Sequence, residues 1–207
     1  MNTFLHQGNT GIKICGLRTE EHVDIAVGAG ANAIGFVFVE SSPRSLERHE
    51  AEQLLLQLPE DVIGVAVLQN HEILADFSDW NGWLQLCGNE DEDAIANAPC
   101  PVIRAIRWNR DEVLRWDVCP NIEALLVDGS TGGLGKTFDV SELAEMIPFL
   151  SKPIIIAGGL TPENVGTIIA KSNPAAVDVS SGIESSIGVK DPQKICDFIN
   201  AVQDAPS

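Results

Sequence analysis

Apolar residues recur along this chain in short runs, each followed by a stretch with helical spacing. The runs fall at residues 12–15, 33–39, 62–68, 83–86, 102–106, 124–127, 154–156 and 177–179. Several are continuous rather than alternating, as in parallel strands covered on both faces. Between them the pattern predicts helices over 47–58, 72–77, 90–98, 110–116 and 141–150. Three more open on good N-caps, at Thr19, Thr161 and Asp191, and the last two carry Pro162 and Pro192 at the first helical position. Gly28-Ala29-Gly30 closes the first helix, and Pro59 and Pro99 stop two others. Eight strand–helix units in 207 residues, roughly 26 residues each, predict a single-domain α/β (β/α)₈ barrel over 1–207. Residues 1–11 read as a polar leader and 203–207 as a tail. An open doubly wound sheet fits less well, because no Gly-x-Gly-x-x-Gly follows the first strand.

Strand one, Ile12-Lys13-Ile14-Cys15, puts Lys13 and Cys15 on the face opposite two isoleucines. That suits a strand whose apolar side meets helices and whose other side faces a chemical interior. In a barrel, function gathers at the carboxyl ends of the strands. Alternation carried from Cys15 turns Lys13, Gln85, Arg104, Asp128 and Asp178 into the mouth together, and a strand slipped by one residue would reverse this.

Composition narrows the partners. Thirty acidic residues against thirteen basic give a formal net charge of −17, which excludes a nucleic-acid surface and asks any anionic ligand to find a locally positive pocket. Five cysteines, odd in number and without Cys-x-x-Cys spacing, disfavour a disulfide framework or a zinc site and fit a reducing compartment. No charged start leads into an apolar run, and no run approaches the length of a membrane span, so the expected location is the cytoplasm. The sequence does not say whether the chain assembles with copies of itself.

Two late turns have the chemistry of a phosphate site. Ala157-Gly158-Gly159-Leu160 follows strand seven and Ser180-Ser181-Gly182 follows strand eight, where barrels most often bind phosphate through close backbone donors. The alternative is that these glycines only make tight turns. Between strand six and its helix, Asp128-Gly129-Ser130-Thr131-Gly132-Gly133-Leu134-Gly135 forms a glycine-rich loop fit to close over a ligand. It lacks the spacing of a nucleotide P-loop. Asp128 is either a turn residue or a general acid or base. Cys15 is either small apolar filler or a base. None of His6, His22, His49 and His71 falls where a Cys–His pair would assemble, whereas Lys13 on the same face would raise the thiolate fraction.

These stretches taken together resemble the phosphoribosylanthranilate isomerases along nearly the whole chain. The matching segments are Lys13-Ile14-Cys15-Gly16-Leu17, Gly35-Phe36-Val37-Phe38, Ser42-Pro43-Arg44, Gln85-Leu86, the glycine loop through Asp139, residues 157–164 and residues 176–182. The resemblance implies an Amadori rearrangement of N-(5-phosphoribosyl)anthranilate that needs no metal or organic cofactor. It implies Cys15 as general base, Asp128 as general acid, Arg44 as holder of the anthranilate carboxylate, and the phosphate on Gly158-Gly159 and Ser180-Ser181. Lys13, Arg44 and Arg104 would supply the positive field. The chain departs from the family pattern with Glu40-Ser41 for Pro-Lys, Cys87 for His and Val140 for Trp. The alternatives are another phosphate-binding barrel of histidine or tryptophan metabolism, or a barrel that binds a phosphorylated ligand without turnover.

Overall fold

The apolar runs pair side by side because each can bury both faces only inside a sheet that is covered on both sides. A computed structural model of the chain describes residues 4–5, 8–129 and 140–206. Strands β1 (Gly11–Cys15), β2 (Ala33–Val37), β3 (Ile63–Leu68), β4 (Trp83–Leu86), β5 (Val102–Arg107), β6 (Ala124–Asp128), β7 (Ile154–Ala157) and β8 (Ala176–Val179) pair in that order, all parallel. β8 pairs back onto β1 and closes the barrel, so the predicted (β/α)₈ architecture stands. Helices α1 (Glu20–Ala29), α2 (Arg48–Leu55), α3 (Glu92–Ala96), α4 (Arg110–Asp117), α5 (Ser141–Met146), α6 (Val165–Ser172) and α7 (Pro192–Gln203) lie between and after the strands. A 3₁₀ turn, Leu74–Phe77, stands where a helix over 72–77 was expected. After β8 comes an addition that the pattern did not announce: an antiparallel hairpin of β9 (Glu184–Ser186) and β10 (Val189–Lys190).

Local signals set the helix ends. The Thr19 hydroxyl accepts from the His22 amide, and Gly30 closes α1 at φ 111°, a conformation favouring glycine. The Asp191 carboxylate accepts from the Gln193 and Lys194 amides ahead of Pro192. At α6 the Val165 amide donates to the Thr161 carbonyl, so hydrogen bonding starts at Thr161 although the regular helix starts later.

Two apolar cores follow from the two strand faces. Ile12, Ile14, Phe36, Leu84, Leu125, Ile156 and Val177 point outward and pack under the helices. Ala33, Val65, Val67, Ile103, Leu126 and Ile155 fill the barrel. Slipping β1 by one residue would strip Ile12 and Ile14 from the helix layer, about 1.5–3 kcal/mol each, and force Lys13 into it. Phe4, within the expected polar leader, is fully buried in the inner core and meets Trp83 edge to face, with ring centroids 6.2 Å apart.

Arg104 corrects the inward phase expected for β5. Its register partners are Leu86 and Leu125, both in the outer core, and residues side by side in a sheet share a face. Arg104 therefore points into the helix layer, where its guanidinium lies 4.8 Å over the Trp116 ring and Nη1 donates to Glu90 at 2.9 Å. Arg104 is not a wall of the barrel mouth. The inner phase of β5 is Ile103, Ala105 and Arg107.

Candidate active site

β1 delivers Lys13 and Cys15 to the barrel interior, and β8 delivers Asp178 beside them. Lys13 and Asp178 are register partners, and the Lys13 ammonium donates to Asp178 Oδ1 at 2.7 Å. Gly35 on β2 lies opposite Cys15. A Cβ there would come within 2.9 Å of Cys15 Sγ and 3.1 Å of Lys13 Nζ, so the missing side chain leaves room for both groups. Burial works against the charge on Lys13, yet Asp178 and Cys15 outweigh it and hold the ammonium above the ordinary lysine range. For Cys15, burial dominates and pushes the thiol up, while Lys13 and Lys190 pull the other way. Lys13 thus opposes the rise, as expected, without reversing it.

A cleft of about 280 Å³ opens at the carboxyl ends of β3 to β8, and its lining reaches this cluster through Asp178. Gln85 and Asp128 line it from β4 and β6, and Asp178 forms part of its floor. Gly158 and Gly159, at φ 89° and 68°, make the turn after β7. Gly182 packs so tightly under that turn that a Cβ would come 1.8 Å from the Leu160 carbonyl oxygen. The two glycine turns form one surface, joined on the cleft wall by Ser180 and Ser181. Gln85 Nε2 donates to Cys87 Sγ at 3.3 Å, and its buried Oε1 has no hydrogen-bond partner among the described residues, leaving an acceptor for a ligand. Burial pushes the Cys87 thiol up to about 12, so it stays neutral.

Arg44, from the loop after β2, reaches across toward the hairpin. Its stem runs over Gly16, where a Cβ would come within 2.8 Å of Arg44 Cδ. Its Nε and Nη2 donate to the two oxygens of Glu184 at 2.6 and 2.9 Å. Glu184, Lys190 and the cleft cation Arg107 escaped sequence reading. The available signals were the alternation of Ile103, Ala105 and Arg107, and the clustering of Glu184, Gly188 and Lys190 just past the Ser180 turn. Gly133 lies outside the described residues, as does the rest of residues 130–139. Among the described residues no group of three or more His, Cys, Asp or Glu is placed to hold a metal ion. No helix among them is long and apolar enough to cross a membrane.

The arrangement offers a buried thiol beside an ammonium, a carboxyl group on the cleft wall, and glycine turns with backbone donors. Comparison with known proteins gives the same direction. Residues 12–201 match the family model for N-(5'phosphoribosyl)anthranilate (PRA) isomerase. The chain is 39% identical over 205 residues to the N-(5'-phosphoribosyl)anthranilate isomerase of Chromohalobacter salexigens, covering 93% of this chain and 94% of that one. It is 39% identical over 202 residues to that of Dechloromonas aromatica, covering 95% and 97%. The solved phosphoribosyl anthranilate isomerase of Thermotoga maritima superposes with a TM-score of 0.84 at 34% identity, over 94% of this chain and 98% of that one. A second solved phosphoribosyl anthranilate isomerase, in complex with reduced 1-(o-carboxyphenylamino)-1-deoxyribulose 5-phosphate, superposes with a TM-score of 0.81 at 32% identity over the same shares. With the family model spanning most of the chain and full-length relatives at this identity, the chain belongs to the N-(5'-phosphoribosyl)anthranilate isomerase family.

Proposed function

We propose that the protein isomerises N-(5-phosphoribosyl)anthranilate to 1-(2-carboxyphenylamino)-1-deoxyribulose 5-phosphate, a step of tryptophan biosynthesis, with Cys15 as general base and Asp128 as general acid. The observation that carries the assignment is a buried Cys15 beside Lys13 and Asp178, with Asp128, Asp178 and glycine turns fit for phosphate lining one cleft.

The chemistry needs one proton delivered and one removed on different atoms of the same sugar. Asp128 gives a proton to the furanose ring oxygen, and the C1′–O bond breaks. The lone pair of the anthranilate nitrogen forms a C1′=N iminium, which acidifies C2′–H. Cys15 takes that proton as thiolate, and the electrons move through C1′ to nitrogen to give an enolamine. The 2′-hydroxyl then loses its proton while C1′ gains one, leaving a ketone at C2′. Two protons are gained and two lost, so the product is an isomer. The iminium brings a positive charge next to a thiol whose burial disfavours ionisation, so the thiolate forms more readily at the step that needs it.

The binding groups divide by charge. The glycine turns with Ser180 and Ser181 take the phosphate through backbone and hydroxyl donors. Arg44 takes the anthranilate carboxylate, and Gln85 Oε1 accepts from a ribose hydroxyl. Lys13 and Lys190 supply positive charge inside a protein of net charge −17.

Purified protein should consume phosphoribosylanthranilate in a fluorescence assay. Cys15→Ser and Asp128→Asn should each lower kcat on the order of 10²- to 10⁴-fold while the thermal unfolding curve holds its place. Near wild-type turnover by both variants would overturn the acid–base assignment.

A further inference from the structure

The β9–β10 hairpin is outside the barrel sheet, yet it buries a carboxylate and an ammonium: the side chains of Glu184 and Lys190 are 6% and 2% exposed. Buried ions need partners, and beyond each other and the Gly188 amide their partners here are Arg44 and Ser180, groups read above as part of the substrate site. Glu184 Oε1 accepts from Arg44 Nε at 2.6 Å and from Lys190 Nζ at 3.1 Å. Glu184 Oε2 accepts from Arg44 Nη2 at 2.9 Å and from the Gly188 amide at 3.1 Å. Lys190 spends its remaining protons on Ser180, donating to the carbonyl at 2.8 Å and to Oγ at 3.2 Å. One carboxylate therefore ties the arginine after β2 to the serine turn after β8.

The hairpin is seated for this purpose at Gly188. Its φ of 76° favours glycine, and a Cβ would come 2.6 Å from the Pro43 carbonyl oxygen, so the turn lies directly on the loop that carries Arg44. The Gly188 carbonyl accepts from Arg18 Nη2 at 3.1 Å, which fastens the same turn to the segment after β1.

The geometry of the guanidinium then decides what Arg44 can do. Its five N–H groups are fixed in a plane with two edges that each match a carboxylate. Glu184 occupies the Nε–Nη2 edge. Nη1 has no hydrogen-bond partner among the described residues, so the Nη1–Nη2 edge is open. We propose that Glu184 is a positioning residue for the isomerisation: by holding one edge of Arg44 and the ammonium of Lys190, it aims the other edge at the aromatic carboxylate of the substrate and keeps that aim in register with the phosphate turn. This rests on the reading of Arg44 as the carboxylate holder. Without Glu184, Arg44 keeps its charge but loses its direction, and Coulomb attraction alone does not give a bidentate pair.

The test is a double-mutant cycle read on two substrates, N-(5-phosphoribosyl)anthranilate and N-(5-phosphoribosyl)aniline, which lacks the carboxylate. Glu184→Gln should raise KM for the anthranilate substrate on the order of 10- to 100-fold, with kcat little changed and the aniline substrate little affected. In an Arg44→Ala background the same substitution should add almost nothing. Equal losses on both substrates, or full additivity with Arg44→Ala, would reduce Glu184 to a structural residue and overturn the proposal. Arg44→Ala with unaltered KM for the anthranilate substrate would instead remove the premise, the role of Arg44 itself. Should Glu184→Gln fail to fold, Glu184→Asp keeps the charge but falls one methylene short. It should lose part of the preference for the carboxylated substrate, and full retention would overturn the proposal.

Discussion

A thiol enclosed by protein is a poor base unless nearby charge favours its thiolate, and at Cys15 two ammonium groups oppose the effect of burial. Because a base acts only when deprotonated, a raised thiol pKa means that kcat/KM climbs with pH until the pH passes that pKa. Lys13→Met removes the larger of the two cationic influences and leaves Asp178, whose charge pushes the thiol further up. The rising limb should therefore move to higher pH, with activity at neutral pH falling about tenfold for each unit of displacement. Lys13→Met also strands a buried carboxylate, so the double variant Lys13→Met/Asp178→Leu separates stability from tuning. It should fold well and still show an alkaline displacement, smaller than in the single variant. A pH–rate profile unchanged in both variants would show that the titrating group is not Cys15.

Between residue and fold lies the β4–β5 layer, where Arg104 does structural rather than chemical duty. Its Nη1 donates to Glu90 and to the Leu86 carbonyl, and its Nη2 to the Gly88 carbonyl at 2.9 Å. Glu90 in turn accepts from the Asn70 and Gly88 amides at 2.6 and 2.8 Å. The pair thus fastens the loops after β3 and β4, and both partners are buried. Arg104→Ala leaves Glu90 uncompensated, an effect worth about 3–5 kcal/mol in such pairs, and should lower Tm without raising KM. A raised KM at unchanged Tm would return Arg104 to the substrate site.

This layer also shows where reading the sequence stops. Caps such as Thr19 and Asp191 act within four residues, and the apolar runs identify themselves, so the eight strands and the barrel were legible. The inward face of β5 was not, because Val102 to Arg107 alternates two apolar faces that each carry one arginine. Only pairing with Leu86 and Leu125 separates them. Glu90 was expected inside a helix for a similar reason, since its partner Arg104 is fourteen residues away. Cys15, Asp128 and the glycine turns could be placed at the carboxyl end of the barrel because they sit at strand ends, and Lys13 could be placed on the face of Cys15 by alternation. Glu184 and Lys190 were not legible, because their meaning comes from Arg44, 140 residues distant from Glu184.

At the scale of the whole molecule the barrel separates its two ends. The carboxyl ends of the strands carry Asp178 of the buried Lys13–Asp178 pair, the glycine turns and the cleft. The other end is closed by an aromatic side chain from ahead of β1. Phe4 stacks edge to face with Trp83, the first residue of β4, and its carbonyl lies where a Cβ on Gly11, the first residue of β1, would be. Phe4 therefore closes the floor of the inner core, and Gly11 is small so that it can. Removing a fully buried phenylalanine costs about 3–5 kcal/mol, because the lost transfer energy is compounded by the cavity left behind. In a chain of this size Tm falls about 2–4 °C per kcal/mol, so Phe4→Ala should lower it on the order of 10 °C. Conservation of geometry at the opposite end predicts kcat and KM at 25 °C within about twofold of wild type, since stability and chemistry occupy different faces of this architecture. Thermal unfolding and steady-state kinetics on the same preparation decide the matter. An unchanged Tm would mean that Phe4 is not the floor, and a loss of turnover in the still-folded enzyme would mean that the floor sets the position of Lys13 and Cys15 on β1.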